Sequence, residues 1–155
     1  MTYSRRMAVD VRTEIEIARP RQQVAAFARD PDNATSWYAN IKSVQWRTER
    51  PLELGSQFAF VAAFLGRRLT YTYEVVEHVP AERFVMRTSE GPFPMETTYA
   101  WKDTASGGTR MTLHNRGEPF GFARIARLFI AVAMRRANRN DLRRLKAILE
   151  QPPST

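Results

Sequence analysis

The sequence of 155 residues contains no cysteine. This excludes a disulfide scaffold, a thiolate metal site and a cysteine nucleophile. It also contains no window of about 18 consecutive apolar residues, so no transmembrane segment is predicted. No apolar run of signal-peptide length follows Met1. We therefore expect a cytoplasmic protein, and the length predicts a single domain spanning residues 1–155.

Motifs for catalysis and cofactor binding are scarce. His78 and His114 are the only histidines, and neither has a metal-ligand spacing such as HExxH. Nucleophile-elbow, Walker and dinucleotide-binding patterns are absent, and the Gly107-Gly108 pair is typical of a hairpin turn. We predict no metal site and no cofactor. The residues assign no catalytic group, so the question of enzymatic activity stays open.

The net charge is +8, and about a third of the basic residues lie in the last 37 positions. Such a charge favours polyanions by long-range attraction. A nucleic-acid-binding protein would carry a known module or a basic groove lined by exposed aromatics. Here the aromatics follow core-like spacing within predicted strands, so nucleic acid is not expected. A solvated helix face is the simplest interpretation, and contact with an anionic membrane surface or acidic ligand is the alternative.

Alternation of apolar and polar residues predicts seven strands. They are Val9–Ile17, Ile41–Glu49, Gln57–Leu65, Arg68–Glu77, Arg83–Ser89, Met95–Asp103 and Thr109–Asn115. Two short helices are predicted between the first two strands. The first opens at Pro20, and the second starts at Pro31 or Asp32 and runs to about Tyr38, because proline suits the first helical position.

A long C-terminal helix is predicted from Pro119 to Glu150, since two prolines stop it just afterwards. Its second half has one apolar stripe, formed by Asn138, Leu142, Leu145 and Leu149. Its first half is apolar nearly all round. Either that half is buried on both sides or kinked near Gly121, or it forms a partner surface. The partner surface predicts a homodimer or a peripheral membrane contact through Phe122, Ile125 and Phe129.

Short motifs occur in a fixed order along the chain. They are Ile17-Ala18-Arg19-Pro20, Asp30-Pro31-Asp32-Asn33, Phe64-Leu65-Gly66-Arg67-Arg68, Tyr73-Glu74-Val75-Val76-Glu77, Gly91-Pro92-Phe93-Pro94, Gly107-Gly108-Thr109-Arg110-Met111-Thr112 and Leu145-Lys146-Ala147-Ile148-Leu149-Glu150. No single motif is specific. In this order, over about residues 9–150, they resemble the bacterial polyketide cyclase/dehydrase branch of the START and birch-pollen-allergen superfamily, whose members are often called SRPBCC proteins.

The resemblance implies an α+β helix-grip fold. A seven-stranded antiparallel sheet would wrap around the long C-terminal helix, and the two short helices would close one end of a cavity between sheet and helix. Family members bind hydrophobic small molecules such as polyketides, lipids or sterols, and some cyclise or dehydrate them. We therefore predict binding of a hydrophobic small molecule. The alternatives are a polyketide cyclase/aromatase- or dehydratase-type enzyme, and a protein- or membrane-interaction module.

Candidate ligand contacts are inward-facing aromatic and thioether side chains together with one arginine. They are Trp37, Phe58, Phe60, Tyr71, Tyr73, Phe84, Met86, Tyr99, Trp101, Arg127 and Met134. Apolar pockets and solid cores use the same residue types, so the pattern does not separate the two. Arg124 and Arg127 continue the apolar helix stripe, and either one lines the cavity or both reach water. A drug-sized ligand would need a cavity of about 300 Å³ or more.

Overall fold

Seven strands form one antiparallel sheet in the computed structural model. The structure describes residues 9–64, 66–91, 94–118 and 124–152, with the backbone alone for residues 64 and 124–126. The strands are β1 (Val9–Ile17), β2 (Ile41–Trp46), β3 (Gln57–Phe64), β4 (Arg67–Val79), β5 (Arg83–Glu90), β6 (Met95–Asp103) and β7 (Thr109–Gly117). Their spatial order is β1-β7-β6-β5-β4-β3-β2, so β1 and β2 form the two edges.

The helices in the described part of the chain are α1 (Arg21–Arg29), α2 (Ala34–Trp37) and α3 (Arg124–Glu150), with a 3₁₀ turn at Pro31–Asn33. The carbonyl of Pro20 accepts the Val24 N–H at 3.1 Å, which starts α1. The Asp30 carboxylate accepts the Asp32 N–H at 2.9 Å and so begins the 3₁₀ turn. Thus α1 and α2 carry the chain from one edge of the sheet to the other.

The main core lies between the inner face of the sheet and α3. Its largest fully buried side chains come from the strands, from α2 and from the predicted helix stripe: Ile17, Trp37, Phe58, Phe84, Met111, Leu113, Leu142 and Leu145. Opposite positions on the strands carry exposed ion pairs, such as Arg87 with Glu96 at 2.7 Å and Arg110 with Glu16 at 2.8 Å. The predicted helix-grip architecture is therefore confirmed.

Some predicted strand ends were wrong. β2 ends at Trp46 rather than Glu49, because the N–H groups of Arg47 and Thr48 both converge on the carbonyl of Gln57 and the ladder stops there. β4 is longer than predicted: its ladder with β5 passes an irregularity near Val75 and continues to Val79.

The strand β7 also extends beyond its predicted end at Asn115. It reaches Gly117 because that residue is paired with both Val9 of β1 and Met95 of β6. The ladder therefore continues past Asn115 on both sides of the strand, and Asn115 is paired with Val11 of β1 and Thr97 of β6.

The structure describes α3 from Arg124 onward. The predicted start at Pro119, the kink near Gly121 and the side chains of Phe122 and Ile125 lie outside the described residues. Burial of the first half on both sides was a wrong expectation for Phe129, whose exposed fraction is 69%. The second half follows the prediction, because its stripe of Leu142, Leu145 and Leu149 is buried against the sheet.

Candidate functional site

A cavity of about 130 Å³ lies between the sheet and α3. Its walls are mostly apolar and come from β3, β4 and α3, with further contributions from the segment after α2 and from β2, β6 and β7. The lining residues are Tyr38, Asn40, Ile41, Phe60, Ala62, Tyr71, Tyr73, Met95, Asn115, Met134, Ala137, Asn138 and Asp141. The cavity therefore pairs an apolar wall on the sheet with polar groups projecting from the helix.

Strand pairing positions the aromatic side chains that line the cavity from β3 and β4. Phe60 of β3 is paired with Tyr71 of β4, and the alternation of β4 brings Tyr73 to the same face. Gly91 supports Tyr71 from the next turn, because a Cβ at Gly91 would stand 2.9 Å from a carbon of that ring. The close approach needs a residue without a side chain, so the Gly91 turn helps to set the position of the Tyr71 ring.

A buried hydrogen-bond relay forms one polar group of the site. Asn138 of α3 donates from Nδ2 to Oδ1 of Asn115 on β7 at 2.7 Å. Asn115 in turn donates from Nδ2 to Oγ1 of Thr97 on β6 at 2.9 Å. All three residues are buried. Because buried amides are costly when unpaired, this relay fixes the helix to the sheet at a defined rotation and register.

Asp141 lies one helical turn beyond Asn138 and is also buried. Its Oδ1 accepts the backbone N–H of Ala39 at 3.0 Å, which ties α3 to the segment after α2. Desolvation raises the pKa of the Asp141 carboxyl from 3.8 to about 6, against the opposing effects of the Ala39 N–H and of Arg144. A carboxyl with this pKa can either accept or donate a proton near neutral pH.

Two tyrosine hydroxyls meet beside the cavity. The hydroxyl oxygens of Tyr38 and Tyr99 are 2.6 Å apart, and either can donate. Burial raises the pKa of both phenols well above 10. Desolvation also raises the pKa of Tyr73, and that of Tyr71 to about 12. All four phenols therefore stay neutral at physiological pH.

The structure brings four of the candidate contacts together at this cavity: Phe60, Tyr71, Tyr73 and Met134. Six others are buried in the surrounding core and do not line it: Trp37, Phe58, Phe84, Met86, Tyr99 and Trp101. Among these, Tyr99 still reaches the site indirectly through its hydroxyl contact with Tyr38. Arg127 is half-buried on α3 and does not line the cavity.

The polar lining was missed in the sequence, although a signal was present. Asn138 interrupts the apolar stripe of α3, and Asp141 falls on the same face three residues later. Asn115 follows Met111 and Leu113 in strict alternation, which places an amide on the inner face of β7. Polar residues at three inward positions of a predicted core indicate a paired network or a site, and here they contribute to both.

Replacing Asp141 by asparagine should raise stability at neutral pH. The pKa of Asp141 is raised on folding, so its contribution to stability is present below the unfolded value of 3.8 and is lost as pH rises through about 6. Asparagine keeps the acceptor for Ala39 without the buried charge. After allowance for solvent screening, Asp141→Asn should gain roughly 1–2 kcal/mol of unfolding free energy at about pH 7.5.

Urea titrations of both proteins at about pH 7.5 and about pH 4 measure this effect, because the gain should shrink at the lower pH. A variant that is less stable than the wild type at the higher pH would show that the carboxylate is stabilised as an ion. The difference between the two proteins cancels every other titrating group, so it isolates the protonation of Asp141.

Within the described residues, no group of three or more histidine, aspartate or glutamate side chains is placed to hold a metal ion. Among the helices in the described part of the chain, none is long and apolar enough to span a bilayer. His114, one of the two histidines, lies on the outer face of β7 with its Nε2 2.6 Å from Oδ1 of Asp10, whereas the next residue, Asn115, lines the cavity.

Known structures show the same architecture. A protein from Thermus thermophilus superposes with a TM-score of 0.77 at 21% identity, over 89% of this chain and 94% of that one. A START superfamily protein from Mycobacterium smegmatis gives a TM-score of 0.77 at 14% identity, over 92% and 97% of the two chains. The Zhui aromatase/cyclase from Streptomyces sp. R1128 gives 0.76 at 16% identity, over 91% and 93%. At these identities the likeness shows the fold alone.

Sequence comparison identifies the family. No curated protein matches the chain significantly. A family profile described as polyketide cyclase / dehydrase and lipid transport matches residues 8–150, which is nearly the whole chain. The seven-stranded sheet around α3 agrees with this match. The chain belongs to the polyketide cyclase/dehydrase and lipid transport family.

Proposed function

We propose that the protein binds a small amphipathic molecule, with an apolar body and one polar group, in the cavity between the sheet and α3. The observation that carries the proposal is the cavity itself, which the packing of α3 on the sheet leaves open beside Phe60, Tyr71 and Met134. Concave, mostly apolar sites with a few convergent polar groups are the usual form of small-molecule sites. Membership of a family described by cyclisation and lipid transport supports the same assignment.

The volume of the cavity limits the size of the ligand segment that can enter it. At about 130 Å³ the cavity is smaller than the size expected for a whole drug-sized molecule. It is close to the engineered cavities of about 150 Å³ that take up benzene. One aromatic ring or a short acyl segment therefore fits the walls as they stand, and a fused multi-ring polyketide exceeds them.

The polar lining defines the preferred end group. Oδ1 of Asp141 is bonded to the Ala39 N–H, whereas Oδ2 receives no hydrogen bond from the described residues. Asn138 donates one of its two amide hydrogens to Asn115, which leaves the other to be satisfied. A ligand hydroxyl can donate to Asp141 and accept from Asn138. We therefore assign a hydroxyl-bearing ring or chain as the preferred ligand class.

Filling the cavity tests this function. Ala137 lines the cavity from α3, whereas Ala147 is exposed on the outer side of the same helix. The variant Ala137→Phe should reduce the affinity for p-cresol at least tenfold, because a phenyl ring would occupy the space that the ligand ring needs. Isothermal titration calorimetry with p-cresol measures the change, with toluene as the matched ring that lacks the hydroxyl.

The control is Ala147→Phe, which adds the same ring outside the cavity and should leave the affinity unchanged. Circular dichroism checks that both variants fold. If Ala137→Phe does not fold, Ala62→Val provides a smaller obstruction from the sheet side. Equal p-cresol affinity in the wild type, Ala137→Phe and Ala62→Val would mean that the ligand does not enter this cavity.

A second candidate function is a cyclase- or dehydratase-type enzyme. The observation that favours it is Asp141, a carboxyl with a pKa of about 6 that faces an apolar cavity next to neutral phenols. Such a group can remove a proton from carbon beside a ligand carbonyl and return it to oxygen. The test is conversion of a linear poly-β-ketone, which Asp141→Asn should abolish while circular dichroism shows that the variant remains folded. Turnover that survives in Asp141→Asn would exclude this role.

A further inference from the structure

The outer face of α3 begins with three exposed apolar side chains. Leu128, Phe129 and Val132 have exposed fractions of 64%, 69% and 62%. They stand on the side of the helix opposite Met134 and Asn138, since these positions differ by about half a helical turn. The three residues form one contiguous surface, which we call the apolar outer patch.

Arginines continue the same face toward the C-terminus. Arg136, Arg139 and Arg143 follow Val132 at steps of four, three and four residues, which keeps them on one side of the helix. All three are exposed, and none forms an ion pair with any described residue. We call them the arginine row.

Acidic side chains that could neutralise this row are missing from the described part of α3. The helix contains two acidic residues, Asp141 and Glu150. Asp141 is buried at the cavity. Glu150 lies at the end of the helix and binds Lys146 at 2.6 Å. The outer face of α3 is therefore an apolar end followed by uncompensated positive charge.

We propose that this outer face binds the surface of an anionic lipid bilayer. A surface helix with bulky apolar residues and unpaired arginines is suited to the boundary between acyl chains and headgroups. The apolar outer patch would enter that boundary, and the arginine row would contact anionic headgroups. This proposal is independent of the cavity, whose residues lie on the opposite side of the same helix.

Charge and area favour a membrane over a second copy of the chain. A two-fold contact through this face would bring arginine rows of equal charge close together, which costs free energy. Three exposed side chains also offer only on the order of a few hundred Å². A stable dimer buries about 800 Å² on each partner. An anionic bilayer supplies the opposite charge and needs no matching surface.

Vesicle sedimentation tests the proposal. Vesicles of phosphatidylcholine with about 30% phosphatidylglycerol should bind the full chain at least about 100-fold more strongly than phosphatidylcholine alone. Each arginine near an anionic surface contributes roughly a fivefold increase in partitioning. The triple variant Arg136→Gln/Arg139→Gln/Arg143→Gln should therefore lose about 100-fold. Phe129→Ser/Val132→Ser should lose about tenfold while keeping the charge.

The matched control removes the same net charge from the strands and their ends. Arg12, Arg47 and Lys102 are exposed and take part in no ion pair within the described residues. Their triple change to glutamine should reduce binding severalfold less than the change in the arginine row. Equal losses in the two triples would overturn the proposal, since net charge alone would then explain binding.

Absence of vesicle binding would also overturn it. So would a concentration-dependent dimer in sedimentation that Phe129→Ser/Val132→Ser abolishes, because a second copy would then occupy the patch. Far-ultraviolet circular dichroism shows whether the vesicle-binding variants remain folded, so this test does not depend on ligand binding in the cavity.

Discussion

Leu145→Ala is expected to lower the free energy of unfolding by about 3 kcal/mol, because a buried leucine reduced to alanine loses its transfer energy and leaves a void. Leu145 has an exposed fraction of 0% in the core between α3 and the sheet. Because Leu145 is enclosed by this core on all sides, little solvent or loop movement is available to fill the space.

The matched control is Leu128→Ala on the same helix. Leu128 is 64% exposed, so the same substitution should cost less than about 0.5 kcal/mol. Urea denaturation followed by far-ultraviolet circular dichroism measures both. Similar costs at the two positions would mean that the second half of α3 does not pack on the sheet as described.

Trp37→Ala is expected to cost about 4 kcal/mol, near the upper end for a single core substitution. Trp37 has an exposed fraction of 0%, and its ring centroid lies 4.0 Å from that of Tyr38 and 5.9 Å from that of Tyr99. The indole therefore supports the hydroxyl pair beside the cavity as well as the core. Its loss should also weaken p-cresol binding, because Tyr38 lines the cavity.

Trp46→Ala provides the comparison for this tryptophan. Trp46 is half-buried on the edge strand β2, where its Nε1 donates to Asp32 at 2.9 Å and Arg50 lies 4.7 Å above its ring. Exposed contacts of this kind contribute less, so the expected cost is about 1–2 kcal/mol, with no effect on p-cresol affinity. A larger cost at Trp46 than at Trp37 would contradict the assignment of the core.

The sheet was predictable because its pattern is local. Strict alternation predicted the strand Val9–Ile17 and its inner face, and the large side chains of Met95, Tyr99 and Trp101 on one face predicted Met95–Asp103. Both ranges were confirmed. The end of β2 was not, because it depends on two amides sharing the carbonyl of Gln57 across the ladder. Strand ends of that kind are decided by the partner strand and leave little trace in the sequence.

The cavity was less predictable than the fold. Aromatic candidates such as Phe84 and Trp101 have the same alternation as Phe60 and Tyr73, yet the first two fill the core and the second two line the cavity. The difference arises from how α3 lies across the sheet. Sequence spacing along one strand carries no information about that placement, so it does not distinguish cavity-lining residues from core residues.

The polar end of the cavity depends on tertiary contacts. Asn115 and Asn138 are 23 positions apart and meet only when β7 and α3 are packed. The alternation of β7 and the helical period of α3 put each residue at an inward position, but no pattern in the sequence joins the two. The sequence also left open whether α3 forms a homodimer contact or a peripheral membrane contact. The exposure of Phe129 together with the arginine row favours the membrane proposal.

Methionine methyl NMR tests ligand binding in the cavity most directly. Met95 and Met134 line the cavity, whereas Met86 and Met111 are buried in the core away from its lining. Titration of p-cresol into protein labelled with ¹³C at the methionine methyls should shift the Met95 and Met134 signals in a saturable manner and leave Met86 and Met111 nearly unchanged. Absence of saturable shifts, or shifts confined to Met86 and Met111, would contradict a ligand site between the sheet and α3.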